Sequence, residues 1–273
     1  MADIQRFAAF TDDPKGGNPA GVVLDAGGLS DEQMLAIAAE VGYSETAFRI
    51  TAEGDRHRVR YFSPLAEVPF CGHATVATAV ALGPGEHVFQ TNAGDVPVRV
   101  DDAGRATLTS VAAKVADLGE ADLGALLSAL RWNDFDLDES LPPKVAYAGA
   151  HHPILAAARR SRLAELDYDV PALKSLMESR GWTTVQLVFR AADDTFDVRN
   201  PFPVGGVYED PATGAAAAAF GGYLREMWIA PEDATLLLRQ GDDMGRPSRI
   251  TVELVPGEPG VRVSGNAVPI NHS

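Results

Sequence analysis

An α+β fold of two similar halves is what the sequence predicts, on three observations. The order strand, strand, polar turn, helix, alternating strands occurs twice, near residues 43–110 and 182–268. Each copy centres on a helix of small residues, "GHATVATAVAL" in the first and "GAAAAAFGG" in the second. Each copy then closes on segments that alternate apolar and polar, as half-buried strands do. Residue identity between the copies is low, so the repeat rests on element order. The halves are expected over 1–118 and 140–273, with 119–139 as the crossover and the terminal strands open to exchange between them.

In chain order, "IQRFAAF" (4–10) reads as a strand and "TDDPKGGNPAG" (11–21) as a loop of turn formers. "VVLDAGG" returns as a short strand. "SDEQMLAIAAEVG" (30–42) is a helix with both ends marked: Ser30 caps it, Gln33 completes a capping box, and Gly42 stops it. Met34, Ile37, Ala38 and Val41 form its apolar face. "YSETAFRI" and "HRVRYFS" are β-like and adjacent, followed by a helix over about 73–82 ended by "GPG". In the second half "PKVAYAG" reads as a strand, "HPILAAARRSRLAEL" as mostly helix, and "PALKSLMESRG" as a second helix. "WTTVQLVFRA" and "TFDVRNPFP" are strands, and the small-residue helix follows "VYEDPATG".

Composition bounds the function. At 46% hydrophobic and 22% charged the chain has the make-up of a soluble globular protein. No apolar run suits a signal peptide or a membrane span, and a single cysteine excludes an internal disulfide, so a cytoplasmic setting is expected. A formal net charge of -15 without a basic stripe argues against nucleic acid. "ARRSR" (158–162) reads as a solvated helix face. His151 and His152 are adjacent, and no H-x-x-x-H or C-x-x-C spacing appears, so no metal is expected.

The candidate chemistry gathers at two helix starts. A helix N-terminus presents unpaired N–H groups and a partial positive charge, and small side chains let an anion reach them. Gly72, His73, Ala74 and Thr75 stand at one start; Thr213, Gly214 and Ala215 stand at the other. Tight helix packing explains either run of small residues taken alone. Asp210-Pro211 is explained by capping alone, Asp as N-cap and Pro at the first helical position. A helix start disfavours imidazolium, so His73 is expected to be neutral. Strand alternation puts Glu45 on a face with Tyr43 and Ala47, which would leave it facing solvent. Cys71 precedes Gly72, and a thiol at a helix start can be reactive.

Four segments, "AFTDDPKGGNPAGVVLD", "SETAF", "PFCGHATVATA" and "EDPATGAAAAA", together resemble the signatures of the PhzF-like isomerases of phenazine biosynthesis, in family order and across nearly the whole chain. The resemblance implies a diaminopimelate epimerase-like fold: two topologically similar halves, each a β-barrel-like sheet around a central helix, with the active site in the cleft between. It implies that Glu45 is the acid/base carboxylate, that His73 and Asp210 line the same site, and that Asn18, Gly72, Ala74, Thr213, Gly214 and Ala215 lie on the substrate side. It also implies a homodimer, a small carboxylate-bearing substrate and no cofactor. The position after Gly214 is often serine in the family and is Ala215 here, so the phenazine-pathway substrate itself does not follow.

The expected activity is proton movement on that substrate: a base for an acidified C–H, and a helix start for the carboxylate. Two alternatives stand beside it. A two-thiol racemase is excluded by counting, because Cys71 has no second cysteine and Pro211 holds the matching place; a one-thiol variant paired with Glu45 survives. A non-catalytic carboxylate-binding protein is the other.

Overall fold

The computed structural model describes residues 2–271. The chain divides into two compact units: one of residues up to Thr109 together with those from Ser264 onward, the other Ser110–Val263.

In unit 1 the strands are β1 (Gln5–Ala9), β2 (Asn18–Val23), β3 (Glu45–Glu53), β4 (Arg56–Phe62), β5 (Glu67–Val68), β6 (Gly85–Thr91), β7 (Gly94–Val100) and β8 (Ala106–Thr109), with α1 (Asp31–Val41) and α2 (Gly72–Leu82). A C-terminal strand, Ala267–Pro269, lies antiparallel on β1 with Phe7 opposite Pro269. From there the sheet continues β1–β2 antiparallel, β2–β3 parallel, β3–β4 antiparallel, β4–β6 parallel, then β6–β7 and β7–β8 antiparallel. The two-residue β5 pairs with the end of β4.

α1 is built as its sequence dictates. Ser30 accepts from the Gln33 amide and the Gln33 side chain returns the bond to the Ser30 amide. Gly42 ends the helix in the left-handed conformation, at φ 71°. Met34 and Ala38 pack with Phe48 and Phe62 on the outer side of β3 and β4. α2 is apolar all round and accordingly buried through its first eight residues apart from Gly72. Its threonines satisfy their hydroxyls against the helix itself, Thr75 on the Cys71 carbonyl and Thr78 on the Ala74 carbonyl, both at 2.7 Å. α2 touches β1, β2, β3, β7, β8 and the C-terminal strand, so the sheet curves around it.

Unit 2 repeats the plan. It contains β9 (Lys114–Asp117), α3 (Glu120–Leu130), β10 (Lys144–Tyr147), β11 (His151–Ala156), α4 (Arg160–Ala164), α5 (Val170–Arg180), β12 (Gln186–Arg190), β13 (Thr195–Pro201), β14 (Glu209–Asp210), α6 (Gly214–Glu226), β15 (Thr235–Gln240) and β16 (Ser248–Glu253). The pairing runs β9–β10–β11 antiparallel, β11–β12 parallel, β12–β13 antiparallel, β13–β15 parallel and β15–β16 antiparallel. That is the same succession of senses as in unit 1, and β14 sits on β13 as β5 sits on β4. α6 packs inside against β9, β10, β11 and β16. Its two consecutive glycines let the strands come close: a Cβ on Gly221 would lie 2.6 Å from Val252, and one on Gly222 would lie 2.3 Å from the Ala113 methyl. Leu126, Leu130, Leu173 and Met177, from α3 and α5, join Leu155 and Leu187 in a second core.

Three expectations need correcting. Segment 119–139 is not a crossover: α3 lies in it, and its leucines belong to the core of unit 2. The segment "HPILAAARRSRLAEL" is not mostly helical; its first part is β11, hydrogen-bonded between β10 and β12, and only Arg160–Ala164 is helix. Asn18 opens β2 instead of lying in a loop. No helix among the described residues is long and apolar enough to cross a membrane.

Candidate active site

Three separate segments of unit 1 converge on the first turn of α2. β3 begins at Glu45, whose neighbour across the parallel pair is Ala20, so Asn18, two residues earlier on β2, lies close by. α2 brings His73, with Cys71 as its N-cap residue. The His73 ring is held from several sides: the Asn18 Nδ2 group is 3.1 Å from Nδ1, the Ser44 hydroxyl 3.4 Å from Nε2, and the Cys71 sulfur 3.4 Å from Nδ1. The Glu45 carboxylate reaches Nε2 at 3.4 Å, and its side chain keeps 15% exposure against 6% for His73.

This geometry fixes what the ring does. The Asn18 amide donates to Nδ1, which leaves the single ring proton of neutral histidine on Nε2, facing Glu45 and Ser44. Burial pushes the His73 pKa below its ordinary value; Glu45 pulls the other way and is the smaller influence. Burial thus works toward the neutral ring that the sequence leads one to expect, with Glu45 opposing it. Glu45 is not on a solvent face. Thr46 and Phe48 face the side α1 covers, as alternation requires, but the opposite face lies against α2, and Ala47 on it is fully buried. The parity is right, and what lies on each side is supplied by tertiary packing.

In unit 2, Asp210 is the last residue of β14, paired with Asn200 of β13. It does not cap α6. The N-cap is Thr213, which makes no side-chain cap bond. Strand pairing holds Asp210 three residues short of the cap, and the Thr213 hydroxyl donates to its carboxylate at 2.5 Å. Gln240 clamps the turn: its Nε2 donates to the Asp210 carbonyl at 2.7 Å and its Oε1 accepts from the Thr213 amide at 3.1 Å. Ser248 donates to the Pro211 carbonyl at 2.8 Å. Beside Asp210, Glu209 and Arg199 form a buried two-pronged ion pair at 2.9 and 2.5 Å. Gly214, Ala215 and Thr213 form the first turn of α6, as expected.

Both helix starts thus lack a side-chain cap, and in each the first intrahelical bond comes from the fourth residue on, Thr75 to Cys71 and Ala217 to Thr213. The amides of Gly72, His73 and Ala74 precede that bond in α2. Ser44, Gln240 and the Arg199–Glu209 pair were not singled out from sequence; Ser44 could have been, as the neighbour of Glu45 in "SETAF", whereas nothing local marks Gln240. One donor atom each from Glu45, Cys71 and His73 lies within 4.8 Å of the others, the one such trio of metal-ligating types among the described residues.

The model of the PhzC-PhzF family, described as phenazine biosynthesis-like protein, matches residues 7–273. The chain belongs to this family. An uncharacterized isomerase of Deinococcus radiodurans is 36% identical over 268 residues, 93% of this chain and 87% of the relative. The trans-2,3-dihydro-3-hydroxyanthranilate isomerase of Pseudomonas aeruginosa is 31% identical over 269 residues, 94% of this chain and 93% of that one. A PhzF-family crystal structure from Bacillus anthracis superposes with a TM-score of 0.87 at 26% identity, covering 99% of this chain and 97% of that chain. The fold is that of the family, and the family is one of isomerases.

Proposed function

We propose that this isomerase moves a proton on a small carboxylate-bearing metabolite, with Glu45 as the group that takes and returns it. The observation that carries this is the pairing of the partly exposed Glu45 carboxylate with His73 across 3.4 Å, the ring being buried and its pKa lowered by that burial. A base must be reachable by substrate and yet held in one orientation. Glu45 meets both demands: it stands at the strand start with one edge open, and His73 Nε2, itself 3.4 Å from the Ser44 hydroxyl, lies beside it. His73 is a positioning residue in this scheme. It stands 3.4 Å from the carboxylate, and as a neutral ring it leaves Glu45 available for the C–H proton. The amides at the start of α2 supply a seat for the substrate carboxylate, or for negative charge that develops as the proton leaves. These steps use this chain's own side chains and no cofactor.

Asp210 is proposed as a second catalytic carboxylate, with Thr213, Gly214 and Ala215 as substrate-side positions. Burial of Asp210 to 7% exposure and the uncapped start of α6 support this. The Pseudomonas relative names one substrate of the right class, a cyclic amino acid; Ala215 makes a different ring or chain the substrate proposed here. A cytoplasmic homodimer belongs to the same proposal, and light scattering on the purified chain tests the dimer.

The test is incorporation of deuterium from solvent into a panel of cyclic and amino-acid carboxylates. Wild-type protein is expected to label at least one member at carbon, and Glu45→Gln to label none above background while still binding it. Binding of several members by calorimetry with no labelling by wild type would favour a carboxylate-binding protein instead.

A further inference from the structure

We infer that Gln240 is a positioning residue for Asp210: through the Thr213 hydroxyl it holds Asp210 as an accepting carboxylate, with Oδ1 as the oxygen that receives a proton or a substrate donor. This rests on the reading that Asp210 takes part in the reaction, and it assigns the state in which Asp210 does so. The polarity of the hydrogen bonds is fixed from the backbone outward. Gln240 Oε1 lies 3.1 Å from the Thr213 amide, and an amide only donates. Gln240 Nε2 lies 2.7 Å from the Asp210 carbonyl, and a carbonyl only accepts. Those two partners allow one orientation of the side-chain amide. The second Nε2 proton then goes to Thr213 Oγ1 at 3.0 Å. Thr213 Oγ1, already an acceptor, has one proton to give, and the acceptor beside it is Asp210 Oδ2 at 2.5 Å. A hydroxyl on a charged carboxylate sits at about 2.5–2.7 Å, closer than the about 2.7–2.8 Å of a neutral pair. Oδ2 therefore carries no proton, and protonation falls to Oδ1.

The strands around this relay hold it in place. Gln240 ends β15 directly opposite Ser248 of β16, and Ser248 donates to the Pro211 carbonyl. One pair of strand residues thus grips the turn at Asp210, Pro211 and Thr213. Gly241 follows, and no other residue fits there: its φ is 78°, and a Cβ would lie 2.2 Å from the Arg246 carbonyl and 2.9 Å from the Pro211 carbonyl. Gln240 is 1% exposed, and both its oxygen and its nitrogen are hydrogen-bonded within the turn. The negative charge kept on Asp210 is offset by the positive end of α6, which begins at Gly214. A hydroxyl that must donate to Oδ2 also fixes the rotation of the carboxylate, and so the direction in which Oδ1 points.

The experiment reads the carboxylate first and the reaction second. The full chain, labelled with carbon-13 at the aspartate carboxyls, gives an Asp210 signal identified by its loss in Asp210→Asn. At neutral pH that signal is expected at the carboxylate position, with a deuterium isotope shift in mixed light and heavy water from the Thr213 hydroxyl. Thr213→Val should diminish the isotope shift and Thr213→Ser should keep it. On the member of the carboxylate panel that wild type labels best, Gln240→Met should lower kcat for solvent exchange about 10–10²-fold at unchanged KM, the scale of a misaimed catalytic group. Added to Thr213→Val, Gln240→Met should cost no further activity, because it acts through that hydroxyl, whereas Thr213→Ser should stay close to wild type. An Asp210 signal at the protonated position, or an isotope shift undiminished in Thr213→Val, overturns the relay. Losses that multiply in the double variant, or a rise in KM in place of the fall in kcat, overturn the positioning role. If Asp210→Asn exchanges at the wild-type rate, or wild type labels no member of the panel, the catalytic reading of Asp210 falls and the positioning role with it, while the spectra still decide how Asp210 is held.

Discussion

Glu45 and Gln186 occupy the same place in the two units. Each is the first residue of a strand that runs parallel to the strand before it, with Ala20 opposite Glu45 and Ile154 opposite Gln186. Two residues before those partners stand Asn18 in unit 1 and His152 in unit 2. Both units therefore bring a carboxyl or amide and a polar neighbour to one spot, but they finish it differently. In unit 1 the acid keeps an edge in solvent and meets His73 from the helix. In unit 2 the spot is sealed: His152, Thr184, Gln186 and Asn200 are all within 1% of complete burial. Asn200 donates to Gln186 at 2.6 Å and to Thr184 at 3.0 Å, and Thr184 bonds His152 Nδ1 at 2.8 Å. The helix position matching His73 is Ala215, which has nothing to offer a proton. The two similar units thus hold a carboxyl group open to solvent in one and a sealed hydrogen-bonded network in the other.

The sharpest way to break this comparison is to exchange the two residues. Glu45→Gln should lower solvent-proton exchange about 10²–10⁴-fold with an unchanged circular dichroism spectrum; near wild-type turnover would end the assignment. Gln186→Glu should do the reverse, leaving the exchange rate alone. Burying a carboxylate there should cost roughly 3 kcal/mol of stability, read by urea denaturation.

His152 sharpens the same contrast through pH. Burial lowers its pKa from 6.5 to about 4. The unfolded chain therefore binds the proton more readily than the folded one, so stability is fully present above about pH 6.5 and is lost as pH falls through about 4. The span corresponds to on the order of 3 kcal/mol. His73, shifted in the same direction, adds to the same slope. Denaturant midpoints measured across this window should fall toward acid, and His152→Gln should flatten the fall; an unchanged slope would show that His152 is hydrated.

Smaller effects are expected at the second helix start. Asp210 accepts a hydrogen bond from the Thr213 hydroxyl, and Asp210→Asn can still accept it, so the variant should stay folded with a change in stability of about 1 kcal/mol or less. A fall in exchange on that background marks Asp210 as a catalytic group; retained exchange makes it a holder of the turn. Thr213→Val removes the hydroxyl shared by Asp210 and Gln240 and should cost about 1 kcal/mol. Cys71→Ala should cost about 1 kcal/mol as the loss of a small buried side chain, and it should still carry out the exchange that Glu45→Gln loses. A loss as large as that of Glu45→Gln would move the chemistry to the thiol.

What could be read from the sequence was what is decided locally. Ser30, Gln33 and Gly42 mark both ends of α1 within a dozen residues, and the structure places each as the pattern requires. The two small-residue helices and the order of strands around them were also legible, since element order survives when residue identity does not. β11 was not: Ala, Leu and Arg in its neighbourhood favour helix, and it is a strand through its pairing with β10 across a short turn and with the distant β12, where Gln186 lies opposite Ile154. Asp-Pro before a helix carries the local mark of a cap, yet pairing with Asn200 and the Gln240 clamp, 30 residues away from Asp210, settle its place. Glu45 was found by resemblance to a family motif, because alternation gives a side but not what covers it.

The strand Ala267–Pro269 has a consequence for how the molecule is made. Unit 2 is a continuous run of chain, whereas unit 1 is completed by a strand that follows all of unit 2 and so leaves the ribosome after it. Until then β1 has an open edge, a row of unpaired amides and carbonyls able to recruit any passing strand. Unit 1 is therefore begun before unit 2 and closed after it, and the nascent protein must hold the half containing Glu45 and His73 open while the other half is made.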